Sequence, residues 1–199
     1  MTAGWLRCHD LARRDGPVAA LAELYRAVPA GAVLVGPAGH AVRPGPAGPA
    51  EAVVTPEPLR RAGLVVVRAR PASARPDPAT YRCWLVGLSW LRLGVSAGLL
   101  DAARGHLSGR LAGRQPLLHQ QLVKGELADA VIEQLDLRAG LAGLDLDRPA
   151  GDRLADLHRR ITGTDRAVLR LLGAAGFTVD GPGLAGYLSE LLADVYLTS

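Results

Sequence analysis

Residues 83–100, CWLVGLSWLRLGVSAGLL, are apolar on nearly every face of a helix. Such a segment either crosses a bilayer or runs down the middle of other helices. Arg92 stands at its centre, between Ser89 and Ser96. A central arginine costs at least about 2.5 kcal/mol on membrane-insertion scales. The segment is therefore predicted to be a helix buried on most sides in a bundle, not a membrane span. Gly94-x-x-x-Gly98 within it would let a neighbouring helix come close.

The pattern stays helical from Ala79 to the end. The first helix is expected at about 79–110. A second opens at Pro116 and runs to about Gly140, with Val123, Leu127, Val131 and Leu135 on one inward stripe. A third starts near Pro149 and turns Leu154, Leu157, Ile161, Val168, Leu171 and Leu172 inward. A fourth, about 184–197, uses Leu184, Leu188, Leu191, Leu192 and Val195. Short connections make an antiparallel four-helix bundle the natural arrangement.

Residues 1–78 read differently. Val18, Leu21, Leu24, Tyr25 and Val28 form one helical face after Pro17. AVLVGPAGHAV reads as a hairpin, 43–50 as a loop, and 52–54 and 64–70 as strands. RPASARPDP at 70–78 reads as a stiff linker. The expected class is mainly α, with a short helix and β-rich appendage over 1–78 preceding the bundle at 79–199.

Charge argues against nucleic acid. The 199 residues carry a net +4. Ten arginines against six acids before residue 79 account for all of it, and the helical part is neutral. It offers no basic stripe, and 4% aromatic residues are too few for stacking platforms. The start of the chain has no apolar signal core, and two cysteines exclude a disulfide scaffold, so a cytoplasmic protein is expected.

Familiar motifs fail on context. Gly181-Pro-Gly183-Leu-Ala-Gly186 spells a dinucleotide fingerprint, but the 13 residues after it cannot hold the second strand and acid it needs. His9, His40, His106, His119 and His158 lack metal-ligand spacing and read mostly as surface groups. Adjacent Cys8 and His9 point apart and make no nucleophile pair. Arg13-Arg14, Arg159-Arg160 and the acids Glu126, Asp129 and Glu133 read as solvated faces; no metal is expected.

Two runs carry a resemblance. Pro116-Leu117-x-x-x-Gln121-x-Val123-x-x-x-Leu127-Ala128-Asp129 is similar to the P-L-x-x-x-Q-x-V-x-x-x-L-A-D stretch of the acyl-CoA dehydrogenase C-terminal domain. Arg110-Leu-Ala-Gly113 resembles that family's R-x-x-F-G turn without its Phe. Leu172-Gly173-Ala-Ala-Gly176-Phe177 resembles its L-G-G-x-G-F/Y loop. Beyond it Pro182, Tyr187 and Val195-Tyr196 fall on the family's Y-P-V-E-R-L-Y and I-Y-E-G-T positions. The stretch VTPEPLRRAGLVVVRARP looks like the end of its middle β domain.

The resemblance implies FAD, an acyl-CoA or acyl-carrier thioester, and homo-oligomers or pairing with a full-length dehydrogenase subunit. It implies Arg110, Gln121, Gly173, Gly176 and Ser199 as cofactor contacts. The general base would be a Glu at one of two positions, where this chain has Leu184 and Leu91. Leucine accepts no proton. Arg170, Ala174 and Leu197 replace a Gln, a Gly and a Glu of the flavin-contacting pattern. The family's N-terminal domain and most of its middle domain have no counterpart in these residues. The first expectation is thus a catalytically degenerate or accessory subunit. The alternatives are an enzyme whose base comes from a partner or from Glu190 or Asp180, and a non-redox acyl or small-molecule binder.

Overall fold

The computed structural model describes residues 2–28, 34–46, 55–68, 77–145, 151–178 and 181–197. The strand read at 52–54, most of the linker at 70–78, the helix start at Pro149, and Asp180 and Ser199 lie outside them.

Asp77 shows why the central helix begins where it does. Its carboxylate accepts from the backbone N–H groups of Ala79 and Thr80, both at 3.0 Å. Pro78 fills the first turn, where its missing N–H leaves no bond unmade. Helix α4 then runs from Pro78 to Ser108, 31 residues or about 46 Å at 1.5 Å per residue. Helices α1 (Thr2–Asp15), α2 (Pro17–Arg26), α5 (Gln121–Ala142), α6 (Gly151–Leu172) and α7 (Pro182–Leu197) all pack against it. By length and composition α4 could cross a membrane, yet 78% of its most apolar window is buried among these helices.

Side-chain pairs set the directions. Ser89 meets His158 and Arg92 meets Thr162, so α4 and α6 run parallel. Arg160 reaches Glu133 and Asp136, and Arg153 reaches the Gly140 carbonyl, so α5 runs against α6. Gly186 approaches Leu169 while Ser189 meets Asp165, which sets α7 against α6. The expected up-down-up-down bundle is present.

Helix α1 is a fifth layer that the sequence reading missed. Its approach is closest at Gly94, where a Cβ would lie 2.2 Å from the His9 carbonyl oxygen. At Gly98 a Cβ would lie 2.9 Å from the Arg13 carbonyl oxygen. Both partners are backbone, which cannot step aside, so these glycines do on α4 what their spacing suggested.

The β-rich part is small. Strand β1 (His40–Pro44) pairs antiparallel with β2 (Leu64–Arg68), Val42 opposite Val66, and α3 (Glu57–Arg61) precedes β2. The hairpin expected around GPAG is corrected: its turn exists, with Gly36 N–H donating to His40 O at 2.7 Å, but β1's ladder partner is β2. Val42 presents its backbone to the bundle. Its carbonyl accepts from Tyr25 Oη at 2.9 Å and its N–H donates to Tyr196 Oη at 3.1 Å. Trp84 packs against both tyrosine rings, at 4.8 and 5.4 Å between centroids.

Two further expectations need correction. Pro116 opens no helix. It closes a second ribbon of β3 (Leu111–Ala112) and β4 (Gln115–Pro116), a 3-10 turn follows at Leu117–His119, and α5 starts at Gln121. The inward stripe of α5 is also different. Leu127, Ala130, Leu137 and Leu141 are buried, whereas Val131 and Leu135 are exposed. Helix α5 carries apolar residues on two faces, and periodicity alone does not say which one the bundle covers.

Candidate functional site

The polar residues of α4 and α6 meet in the core. Arg92 is fully buried, and His158, Asp165, Ser89, Ser96 and Ser189 are buried around it. The reading of His158 as a surface group is thereby corrected: it sits at i+4 from Leu154 and i−3 from Ile161, on the buried face of α6. His9 is buried as well, edge-on to Trp90.

Arginine only donates, which fixes the proton positions. Arg92 Nη1 donates to His158 Nδ1 at 2.8 Å and to the His158 carbonyl at 3.2 Å. His158 therefore carries its proton on Nε2 and donates to Ser89 Oγ at 2.7 Å, while Ser89 donates to the Leu85 carbonyl at 2.8 Å. Arg92 Nη2 reaches Thr162 Oγ1 at 2.7 Å and Nε reaches Ser189 Oγ at 3.1 Å. Ser189 in turn donates to Asp165 Oδ2 at 3.4 Å. Arg92 and Asp165 thus communicate through a serine.

Burial sets the protonation states. It lowers Arg92 to about 10, against the opposing charges of Asp165, Glu190 and Asp194. It raises Asp165 to about 7, against the Ser96 hydroxyl, Arg92 and Ser189. Burial first, then the Arg92 charge, hold His158 well below the usual imidazole range. The Ser89–His158 contact is no nucleophile pair. Its serine proton is committed to a backbone carbonyl, and the far imidazole nitrogen faces a guanidinium instead of a carboxylate. The signal for this cluster is in the sequence: Ser89, Arg92 and Ser96 recur at helical spacing inside an apolar run.

The residues implied as cofactor contacts lie elsewhere. The helix directions bring the end of α4 with Arg110, the start of α5 with Gln121, and the end of α6 with Gly173 and Gly176 to one end of the bundle. Arg110 is tied to that end through its carbonyl, which accepts from Leu117 N–H at 2.7 Å. Arg110, Gln121 and Gly173 are exposed. Gly173 takes φ +54° to turn the chain out of α6. Gly176 is buried, and a Cβ there would lie 3.0 Å from Leu172 Cβ and 3.2 Å from Leu169 O, so packing alone requires it. None of the four lines the two grooves between α6 and α7 or the groove between α5 and α6. This end offers a guanidinium and an amide on an open surface, which does not by itself enclose a flavin.

At the two positions where the resemblance expects a general base, Leu91 is fully buried and Leu184 half-buried. Glu190, one of the alternatives, is engaged with Arg166. Glu126, Asp129 and Glu133 line the α5–α6 groove, with Glu133 paired to Arg160. Among the described residues no group of three His, Cys, Asp or Glu could hold a metal ion.

No family profile matches the sequence. No characterised protein matches it either. Solved structures do match. A variant of the Tcur3481–Tcur3483 steroid ACAD (acyl-CoA dehydrogenase) superposes over 66% of this chain, with a TM-score of 0.51 and 21% identity. FkbI, described as serving biosynthesis of the methoxymalonyl extender unit of the polyketide Fk520, superposes over 78% with a TM-score of 0.55 and 18% identity. The chain spans 38% and 46% of the lengths of those two proteins. It has an acyl-CoA dehydrogenase-like, mainly α fold.

Proposed function

We propose that this chain acts as an accessory, catalytically degenerate subunit of acyl-CoA dehydrogenase type. The observation that carries the reading is the pair Leu91 and Leu184, apolar where the resemblance calls for a glutamate that removes the α-proton. The exposed apolar face of α5 supports a role in association, through a second copy or a full-length dehydrogenase subunit.

A second reading has one observation in its favour. Arg110 and Gln121 stand exposed at one end of the bundle, where they would supply one wall of a flavin site completed by another chain. FAD would there accept a hydride from an acyl thioester, with the base on that partner. The test is the visible spectrum and gel-filtration size of the protein, alone and after adding FAD. A colourless oligomer supports the accessory reading. A flavin spectrum retained in the oligomer peak overturns it in favour of the second.

A further inference from the structure

The face of α5 that points away from the core carries no charge. Gly125, Ala128, Ile132, Leu135, Ala139 and Ala142 are all exposed, on the side opposite the buried Leu127, Ala130, Leu137 and Leu141. The outer face of a helix in a soluble bundle is normally charged. Helix α6 follows that rule and turns Asp152, Arg159, Arg166 and Arg170 outward. The six residues of α5 follow one another at steps of three and four, the spacing of a coiled-coil seam. Gly125, Ile132 and Ala139 take the a positions; Ala128, Leu135 and Ala142 take the d positions. A methyl on Gly125 would meet nothing within 4 Å, so packing inside the chain does not require a glycine there.

The flanks of the seam choose the partner. Asp129 and Asp136 stand at e positions, and Lys124, Val131 and Arg138 at g positions, all exposed. Neither Lys124 nor Asp129 has an ion-pair partner among the described residues. In a parallel pair, g of one helix faces e of the next heptad on the other; an antiparallel pair brings e to e. A second copy lying parallel places Lys124 against Asp129 of the second copy, twice by symmetry. An antiparallel copy would set Asp129 against the acid Asp136. Ile at a with Leu at d is also the combination that favours two parallel strands. We propose that α5 pairs in parallel and in register with α5 of a second copy of this chain, about a two-fold axis. Ile132 and Leu135 then bury one another's counterparts, and the small residues on either side let the two backbones approach. The proposal rests on the associating role given to α5 above, and names its partner and geometry.

Cysteine cross-linking tests it on the full chain carrying Cys83→Ser, since Cys8 is buried. Ala128→Cys and Ala142→Cys, at exposed d positions, should each form a disulfide with its own counterpart as the main product of mild oxidation. An equal mixture of Ala128→Cys and Ala139→Cys should give no mixed disulfide: the two residues lie about 16 Å apart along a parallel pair, but face one another in an antiparallel one. In sedimentation equilibrium Lys124→Glu should weaken dimerisation about three- to tenfold, and adding Asp129→Lys should restore it. A mixed disulfide as the main product, no rescue by the second charge change, or a monomeric parent would each overturn the pairing. A monomeric chain that still binds a full-length acyl-CoA dehydrogenase subunit would overturn the pairing alone and leave the accessory reading standing.

Discussion

Arg92 decides the character of the core. Its guanidinium gives all its principal donors to α6 and α7: His158, Thr162 and Ser189. Buried charges of this kind stabilise little in total, but removing one partner strands the other. Arg92→Met and Asp165→Leu should each cost about 3 kcal/mol in denaturant unfolding, and the double variant should cost less than their sum by 1 kcal/mol or more. Additive losses would show that the serine-bridged pair is not coupled. The pH dependence follows from the same residues. Asp165 titrates at about 7 in the fold, above an unfolded carboxyl near 3.9. Its contribution to stability is complete below the lower value and is lost as pH rises through 7. His158 acts oppositely: held neutral, it loses stability as pH falls below about 6.5. Asp165→Asn should therefore gain in Tm relative to the parent from pH 5 to pH 8. A difference constant over that range would mean that Asp165 is ionised throughout.

The helices differ in how far their sequences disclose them. Helix α6 was legible because its apolar residues follow one face; Leu154, Leu157, Ile161, Val168 and Leu172 are buried as read, and Leu171 is half-buried. Helix α4 was legible from its apolar girth. Helix α5 was not, because two apolar faces compete and only the packed bundle chooses between them. Helix α1 escaped notice because a short helix with Arg7, Arg13 and Arg14 in it looks solvated until Gly94 and Gly98 are seen to admit it. The site was less legible than the fold: hydrogen-bond partners on α4, α6 and α7 are brought together by packing, which spacing within one helix does not reveal. The α1–α4 contact has its own test. Gly94→Ala places a methyl against the His9 carbonyl and should destabilise by about 1–3 kcal/mol, an overpacking cost. Gly105→Ala, on the same helix with open space around it, should be neutral or slightly stabilising. Equal effects at the two positions would remove the close approach as an explanation for Gly94.

At the scale of the whole molecule, the question is what covers α5. Leu122 is 76% exposed, Ile132 64% and Leu135 61%, with Val131 beside them. Ile132 and Leu135 lie three residues apart on one face, so a partner helix could bury both. Burying an Ile and a Leu side chain contributes roughly 3–6 kcal/mol together, enough to change a dissociation constant at least a hundredfold. The variant Ile132→Lys/Leu135→Lys should therefore dissociate the native-sized assembly by that factor in sedimentation equilibrium. Its own unfolding should change little, since neither side chain enters the core. Leu111, on the β3–β4 ribbon before α5, is 66% exposed as well. If the parent chain stays monomeric with and without an acyl-CoA dehydrogenase subunit, α5 has no partner of that kind. The accessory role would then fail.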